Sequence, residues 1–318
     1  MSGTLYLLEQ GAVLRKQGER LIAEKDGQVI LDLPLASAER VVIEGYIQVT
    51  TQTLCLLLER GIPVIFLGTD GRFKGSLEPI RSVNAPLRLS QYAASQDAQV
   101  SFSLAKQFII GKLSNQTRVL QKIGYRREPV FREAAAEIRT LCSHIERKTG
   151  FNGLRGTEGA ASSVYFQTLG HAFGSTGFIR TKRPPRDPVN AMLSYGYTIL
   201  VSECTTALAI HGLDPYIGFY HGVKHGRPAL ALDLMEEFRH PFVDMVALTL
   251  AERRMVSLQD GFYQTPDGGY LMTPDTRKRF IAHYELRAKH FRHLIRKQAE
   301  RLVRFLKREE DYKPFLMG

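Results

Sequence analysis

The chain has 318 residues, of which 44% are hydrophobic and 24% charged, and its formal net charge is +11. That length can bury at least one large core and most naturally makes two domains. The positive excess favours a polyanion, most commonly nucleic acid, over an acidic protein or a neutral metabolite as partner. No run approaches the roughly 20 apolar residues of a membrane span, and no basic start leads into an apolar core, so we expect a soluble, cytoplasmic protein.

Residues 1–85 are predicted to form a small β-rich domain. Short strand-like segments alternate with turn signals, and Asp70-Gly71 is the clearest hairpin turn because both residues tolerate positive φ. One helix interrupts them at 51–61, with a threonine at its start and Gly61 at its end. No cluster of histidine, cysteine and acid lies here, so we assign this domain to dimer and partner contacts. The predicted strands are 5–8, 28–33, 39–49, 62–67 and 72–77.

A proline-containing stretch ends the β pattern, and we place a linker at 86–92. From 93 to 318 the apolar spacing is that of helices, which predicts a larger, mostly α-helical domain that carries the catalytic, metal-binding and DNA-binding residues. The fold class expected is therefore α+β. The predicted helical segments are 96–123, 129–148, 158–174, 187–211, 230–258 and 275–310.

A histidine, a tight loop and a run of carboxylates meet between residues 212 and 239. Asp233 and Glu236 are three apart, so on a helix their carboxylates project from neighbouring points and need a compensating cation or proton. His221 lies in a Gly/His/Pro-rich loop that could fold back to the same spot, and such a set suits Mg²⁺, Mn²⁺ or Zn²⁺. The alternative is structural: acids near a helix start usually only favour the macrodipole, and a single loop histidine is usually no ligand. Leucines and phenylalanine at four-residue spacing predict one buried face: Leu230, Leu234 and Phe238.

Glu158 is a further acid in a glycine-rich stretch, 152–166. Thr157 could cap a helix that begins at Glu158, with glycines permitting close backbone approach. The carboxylate is then either a simple helix-start acid or a third metal ligand.

Two basic regions are candidates for binding phosphate. A proline-rich loop carries Lys182, Arg183 and Arg186 ahead of a helix with Asn190 and Tyr197, and it is either a DNA contact or a solvated loop before an ordinary helix. Residues 277–308 hold twelve lysines and arginines, Arg292 and Arg296 among them, against two glutamates. An apolar stripe lets this segment pack while its basic face stays in water.

Four motifs in this order and spacing resemble the CRISPR-associated integrases of the adaptation machinery, the Cas-one family. Jointly they are very specific, and the β-rich start with IPVIFLGTDGRFKG also matches that family's two-domain plan. The motifs are RGTEGAAS, RPPRDPVNAMLSYGY, GLDPYIGFYH and GRPALALDLMEEFR, between residues 155 and 239.

The resemblance implies a catalytic site and a cofactor. The family's metal-binding glutamate matches Glu158, its histidine matches His221, and its third ligand falls on Glu236, with Asp233 as a supporting acid. The ion implied is Mg²⁺ or Mn²⁺.

The resemblance also implies a function and partners. The protein would be a metal-dependent DNA endonuclease and integrase that inserts spacers into a CRISPR array by 3′-OH transesterification at the leader-repeat and repeat-spacer junctions. Its partners would be double-stranded DNA, prespacer and leader-repeat, and the Cas-two protein, with two homodimers flanking a Cas-two dimer. A general metal-dependent repair nuclease and a non-catalytic DNA-binding scaffold remain alternatives.

Overall fold

The computed structural model describes residues 3–79, 84–124 and 128–318 and divides the chain into two compact units, 1–83 and 84–318. The first is β-rich and the second mostly helical, so the predicted α+β class is confirmed. Residues 86–92, predicted as a linker, lie instead within a helix, α2 (Ala85–Gln96). The Asn84 side chain accepts a hydrogen bond from Leu87 N–H at 3.1 Å, and Pro86 sits in the first turn, where its missing N–H costs nothing.

The first unit contains two four-stranded sheets. The elements of this unit are β1 (Gly3–Leu7), β2 (Val13–Gln17), β3 (Arg20–Lys25), β4 (Gln28–Pro34), β5 (Ala38–Glu44), β6 (Gln48–Val49), α1 (Thr51–Glu59), β7 (Val64–Leu67) and β8 (Phe73–Leu77). One sheet has the order β1-β5-β7-β8, in which β8 is antiparallel to β7 and the other pairs are parallel. The second has the order β4-β3-β2-β6.

The hairpin predicted at Asp70-Gly71 is confirmed, since it joins β7 to β8 and Gly71 has a φ of +73°. Strands β2 and β3 were not predicted, because their charged residues obscure the alternation of apolar ones. The Arg15 guanidinium pairs with the Glu24 carboxylate across the two strands, while Leu14 is fully buried on the other face.

Helices make up most of the second unit, and in the part of the chain that the structure describes none is long and apolar enough to cross a membrane. Its elements are α2 (Ala85–Gln96), α3 (Ala98–Gly124), α4 (Pro129–Ser143), α5 (Phe151–Ala172), α6 (Pro188–Ile210), α7 (Ala229–Met235), α8 (Met245–Glu252), β9 (Phe262–Gln264), β10 (Tyr270–Met272) and α9 (Pro274–Leu306).

The start of one predicted helix and the continuity of another differ from the prediction. Helix α5 begins at Phe151, seven residues before the expected start, so Thr157 is no cap and its hydroxyl donates to the Gly153 carbonyl at 3.0 Å inside the helix. The helix expected over 230–258 is broken by a π-helical turn, His240–Asp244, that contains Pro241. Proline has no N–H for the regular ladder, and the wider turn accommodates it.

The carboxy-terminal segment packs against the end of α7. The Phe315 ring stacks on Phe238, with centroids 4.8 Å apart, and Glu237 accepts hydrogen bonds from Tyr312 Oη and Phe315 N–H at 2.5 and 2.6 Å. The segment passes so close to α3 that a Cβ on Gly111 would lie 2.7 Å from Pro314 Cβ. A glycine at position 111 is thus a requirement for docking this segment.

Stability is expected to fall with rising pH through Glu237. Burial raises the pKa of this carboxyl to about 8 from its ordinary 4.5, since the donors around it offset only part of the lost hydration. Above pH 4.5 the folded protein therefore holds a proton that the unfolded chain has released. The contribution of this proton to the free energy of unfolding is lost as the pH rises through about 8.

Urea unfolding followed by circular dichroism between pH 6.5 and 8.5 tests this. Burial lowers the pKa of His240, which stays neutral over that window. Glu237→Gln removes the titrating group, so its unfolding free energy should fall less steeply than that of the wild type, by up to about 1.4 kcal/mol per pH unit. The variant should also be less stable at pH 6.5, because an amide nitrogen cannot accept a hydrogen bond. Parallel pH profiles would contradict the assignment.

Candidate active site around Glu236

Asp233 holds the loop before α7 in place from a fully buried position. Its Oδ2 accepts hydrogen bonds from the N–H groups of Phe219 and Tyr220 at 2.7 and 3.0 Å, and its Oδ1 accepts one from His221 N–H at 2.8 Å. A Cβ on Gly218 would lie 2.8 Å from Asp233 Oδ2, so only glycine fits there. The loop folds back onto α7 as the sequence predicted, and a carboxylate is what draws it there.

The same carboxylate fixes the His221 ring. His221 Nδ1 lies 2.7 Å from Asp233 Oδ1, so the tautomer that this contact favours carries its proton on Nδ1. His221 Nε2 then carries the free lone pair, and it faces Glu236 Oε1 at 3.8 Å. Asp233 thus positions the imidazole for a ligand on its other side.

Glu158 and Glu236 meet at one ammonium group, that of Lys112 on α3. Lys112 Nζ contacts Glu158 Oε1 and lies 2.8 Å from Glu236 Oε2. The Ser162 hydroxyl also donates to Glu158 Oε1, at 2.9 Å. Three separate elements, α3, α5 and the end of α7, therefore bring these side chains together.

Both carboxylates are ionised at neutral pH despite their burial. Burial by itself raises the pKa of Glu158, but the Lys112 ammonium outweighs it and the pKa is lowered overall. For Glu236 the cost of burial is outweighed by Arg239 and Lys112 together, which hold its pKa well below the ordinary range. The site is therefore an anionic centre that depends on neighbouring cations.

Arg239 is held rigidly against Glu236. Its Nη1 lies 3.5 Å from Glu236 Oε2, and its guanidinium stacks over the Tyr197 ring at 4.7 Å. Tyr197 Oη in turn donates to Asp244 Oδ1 at 2.5 Å. Asp244 Oδ2 also contacts His240 Nδ1 at 2.7 Å, so a largely buried polar network packs behind the site.

Sequence reasoning missed Lys112, Arg239 and this network. Arg239 follows the acidic run by three residues, a spacing that could have indicated a counter-ion to Glu236. Nothing in the sequence around Lys112 or Asp244 distinguishes them from ordinary helix residues, and Tyr197 was predicted only as a DNA contact.

The side chains of Glu158, His221 and Glu236 suit a hard divalent cation if the Lys112 ammonium moves away from them. In residues 3–79, 84–124 and 128–318, no group of three or more His, Cys, Asp or Glu side chains is arranged to hold a metal ion as it stands. Yet Glu236 Oε2 is buried with no hydrogen-bond partner, and His221 Nε2 is turned towards the same carboxylate. Two carboxylates and an imidazole are ligands that Mg²⁺ and Mn²⁺ accept. Glu158, His221 and Glu236 thus fit the ion if Lys112 moves aside.

Three of the seven residues predicted to bind DNA lie inside the protein. Asn190 is fully buried and its amide donates to Ile179 O at 2.9 Å. Tyr197 is 7% exposed and bound to Asp244. Arg292 pairs with both Glu203 and Glu285, and its side chain is 14% exposed. Their polar groups are used within the fold, which corrects the prediction for these three.

The other four predicted DNA contacts are exposed. They are Lys182, Arg183, Arg186 and Arg296. Arg186 also donates to the Asp267 carbonyl at 2.9 Å, which ties the basic loop to the β9–β10 hairpin. Partial burial of its ammonium, with Arg239 nearby, lowers the pKa of Lys182. Lys182 therefore lies within electrostatic reach of the cations beside Glu236.

Comparison with known proteins gives concordant matches. The sequence model of the family described as CRISPR associated protein Cas1 matches residues 5–286. The chain is 35% identical over 334 residues to CRISPR-associated endonuclease Cas1 3 of Thermus thermophilus, covering 98% of this chain and 97% of that protein.

Two solved structures share the fold. One, a Cas6-RT-Cas1–Cas2 complex, is 25% identical with a TM-score of 0.86, and the match covers all of this chain but 36% of the longer one. The other, a CAS1 protein from Thermotoga maritima, is 22% identical with a TM-score of 0.86, covering 100% and 99% of the two chains.

Asp233→Asn is expected to lower the free energy of unfolding by roughly 2–4 kcal/mol, because an amide nitrogen replaces an acceptor that buried N–H groups require. Urea unfolding measures this, and Asp260→Asn at an exposed turn is the matched control, expected within about 0.5 kcal/mol of the wild type. Equal stability of the two variants would show that Asp233 does not hold the loop.

Proposed function

The chain belongs to the CRISPR associated protein Cas1 family, and we propose that it is a metal-dependent DNA integrase and endonuclease that inserts spacer DNA into a CRISPR array. The observation that carries the proposal is the convergence of Glu158, His221 and Glu236 from α5, a loop and the end of α7. Glu158 is 63 residues from His221, and His221 is 15 residues from Glu236. The cluster is therefore not a product of spacing along one helix.

Glu158, His221 and Glu236 would hold Mg²⁺ or Mn²⁺. The chemistry supplied by such an ion is polarisation of the scissile phosphate and stabilisation of charge on the attacking and leaving oxygens. Asp233 keeps Nδ1 of His221 protonated and so leaves Nε2 as the donor atom. Arg239 remains beside Glu236 and offsets part of the negative charge that the carboxylates and a DNA phosphate bring together.

The reaction is a transesterification. The 3′ hydroxyl of the incoming DNA forms a phosphodiester as the target's phosphodiester breaks, and the target strand leaves with its own 3′ hydroxyl. One bond replaces an equivalent one, so no ATP is needed for the chemistry. With water as nucleophile the same site hydrolyses DNA, which agrees with the name endonuclease carried by the Thermus relative.

The partners proposed are double-stranded DNA and a Cas-two protein. The net charge of +11 supports a nucleic-acid partner, and the similarity to a Cas6-RT-Cas1–Cas2 complex at 25% identity supports the protein partner. Insertion at both ends of a repeat uses two active sites at a fixed separation, so we propose a homodimer, two of which flank a Cas-two dimer.

The DNA path proposed beside the site begins at the basic loop. Lys182 and Arg183 are exposed there, and Lys182 lies within electrostatic reach of Glu236 and Arg239. Arg296 lies exposed on α9 and extends the set of basic residues. Phosphate contacts of this kind position the strand without reading its sequence.

Loss of a single proposed ligand should abolish strand transfer. With purified Cas-two, a prespacer with free 3′ ends, a plasmid bearing a leader-repeat target, and Mn²⁺, Glu236→Gln and His221→Ala are each expected to lose at least about 100-fold in rate, since the ion contributes several kcal/mol to the barrier. His225→Ala, an exposed histidine four residues from His221, is the matched control and should retain activity.

The products distinguish the alternatives. Joining at the leader-repeat junction supports the integrase. Cleavage with no preference for that junction would favour a general repair nuclease. Wild-type rates in both ligand variants would exclude the proposed site, and neither joining nor cleavage by the wild type would leave a DNA-binding scaffold.

A further inference from the structure

Lys112 is a lysine in an unusual place. It lies in the middle of α3 with 2% of its surface exposed, whereas lysines ordinarily keep their ammonium groups in water. Its ammonium is compensated by two carboxylates, those of Glu158 and Glu236. Burial of a charge is tolerated only with such compensation, so the three side chains form one electrostatic unit.

The ammonium occupies the space between the proposed ligand oxygens. Lys112 Nζ is 2.8 Å from Glu236 Oε2, an atom with no partner that meets hydrogen-bond geometry, and it also contacts Glu158 Oε1. A divalent ion bound by the same two carboxylates would lie within a few ångströms of this position. Two like charges at that separation in a buried site repel strongly, so the ammonium and the ion exclude each other.

The second cation at Glu236, Arg239, ends in a planar guanidinium rather than in an ammonium on a flexible stem. Arg239 is stacked on Tyr197, whose hydroxyl is bound to Asp244. A lysine ammonium is a compact charge at the end of a flexible four-carbon stem. Lys112 donates a hydrogen bond to Glu158 Oε1, whereas its contact with Glu236 Oε2 is an ion pair without a directed hydrogen bond. Of the two cations, Lys112 is the one that can move when a competitor arrives.

We propose that Lys112 is a displaceable internal counter-ion, which neutralises Glu158 and Glu236 while the site holds no divalent ion and must withdraw when one binds. The inference rests on the metal site of the proposed function and adds a competitor built into the chain. It means that the folded site exists before the ion arrives, and that part of the ion's binding energy is spent on moving the lysine.

Replacing Lys112 should therefore lower the stability of the metal-free protein and raise its affinity for Mn²⁺. Lys112→Met keeps the length of the stem and removes the charge, so two buried carboxylates lose their shared cation. In EDTA the melting temperature should fall by at least about 3 °C. The variant should bind Mn²⁺ more tightly than the wild type, with an apparent Kd at least about tenfold lower. Mn²⁺ should therefore raise the melting temperature of the variant by more than it raises that of the wild type.

The experiment measures Mn²⁺ binding by calorimetry and melting by differential scanning fluorimetry on the full chain. Lys122→Met, an exposed lysine on the same helix, is the matched control and should match the wild type in both assays. Lys112→Gln, which keeps an N–H donor, is the second variant should Lys112→Met fail to fold, and it should show the same pair of changes. Glu236→Gln defines which Mn²⁺ signal belongs to this site.

The outcomes separate this inference from the proposed function. Unchanged or weaker Mn²⁺ binding in both Lys112 variants, with binding lost in Glu236→Gln, would overturn the counter-ion and leave the metal site standing. No Mn²⁺ signal dependent on Glu236 in the wild type or in either Lys112 variant would overturn both. Tighter binding in a Lys112 variant together with a lower melting temperature in EDTA supports the inference.

Discussion

The fold of the helical unit depends on how three buried acids at the end of α7 are compensated. Asp233, Glu236 and Glu237 are 0%, 3% and 0% exposed, and an unpaired carboxylate at any of these positions would be prohibitively costly. Each of the three carboxyl groups has a different kind of partner. Backbone N–H groups bind Asp233, two cations face Glu236, and hydrogen bonds from the carboxy-terminal segment surround Glu237. Loop, helix core and carboxy-terminal segment thereby contact one short stretch. Of the three acids, Glu236 is the one with an oxygen, Oε2, that makes ion pairs but no hydrogen bond.

Local patterns predicted much of this arrangement. The four-residue spacing of Leu230, Leu234 and Phe238 predicted one buried face, and all three are fully buried. The glycine-rich loop predicted that His221 would return towards the acids, and its Nδ1 lies 2.7 Å from Asp233 Oδ1. The two-part division of the chain followed from the change in apolar periodicity. These features depend on residues that are near in sequence, where spacing and turn chemistry decide the geometry.

The features that the sequence did not predict depend on contacts between residues far apart in the chain. Lys112 is 46 residues from Glu158 and 124 from Glu236, and a lysine in an amphipathic helix resembles any solvated one. Tyr197 and Asn190 were predicted to contact DNA because they follow a basic loop, but α6 turns them into the interior. The glycines before Glu158 suggested a helix start, whereas α5 tolerates them in its first turns. Burial is a property of the assembled unit, and composition alone cannot assign it to one lysine or tyrosine.

The docking of the chain end has a practical consequence. Phe315 stacks on Phe238 and its N–H binds Glu237, the neighbour of Glu236, while Asn115 grips the backbone at Phe315 and Met317. A purification tag or fluorescent fusion joined directly after Gly318 is separated from that last anchor by a single residue. Recombinant protein intended for enzymology is better labelled elsewhere, or through a long flexible spacer, so that the turn bearing the candidate ligand keeps its native support.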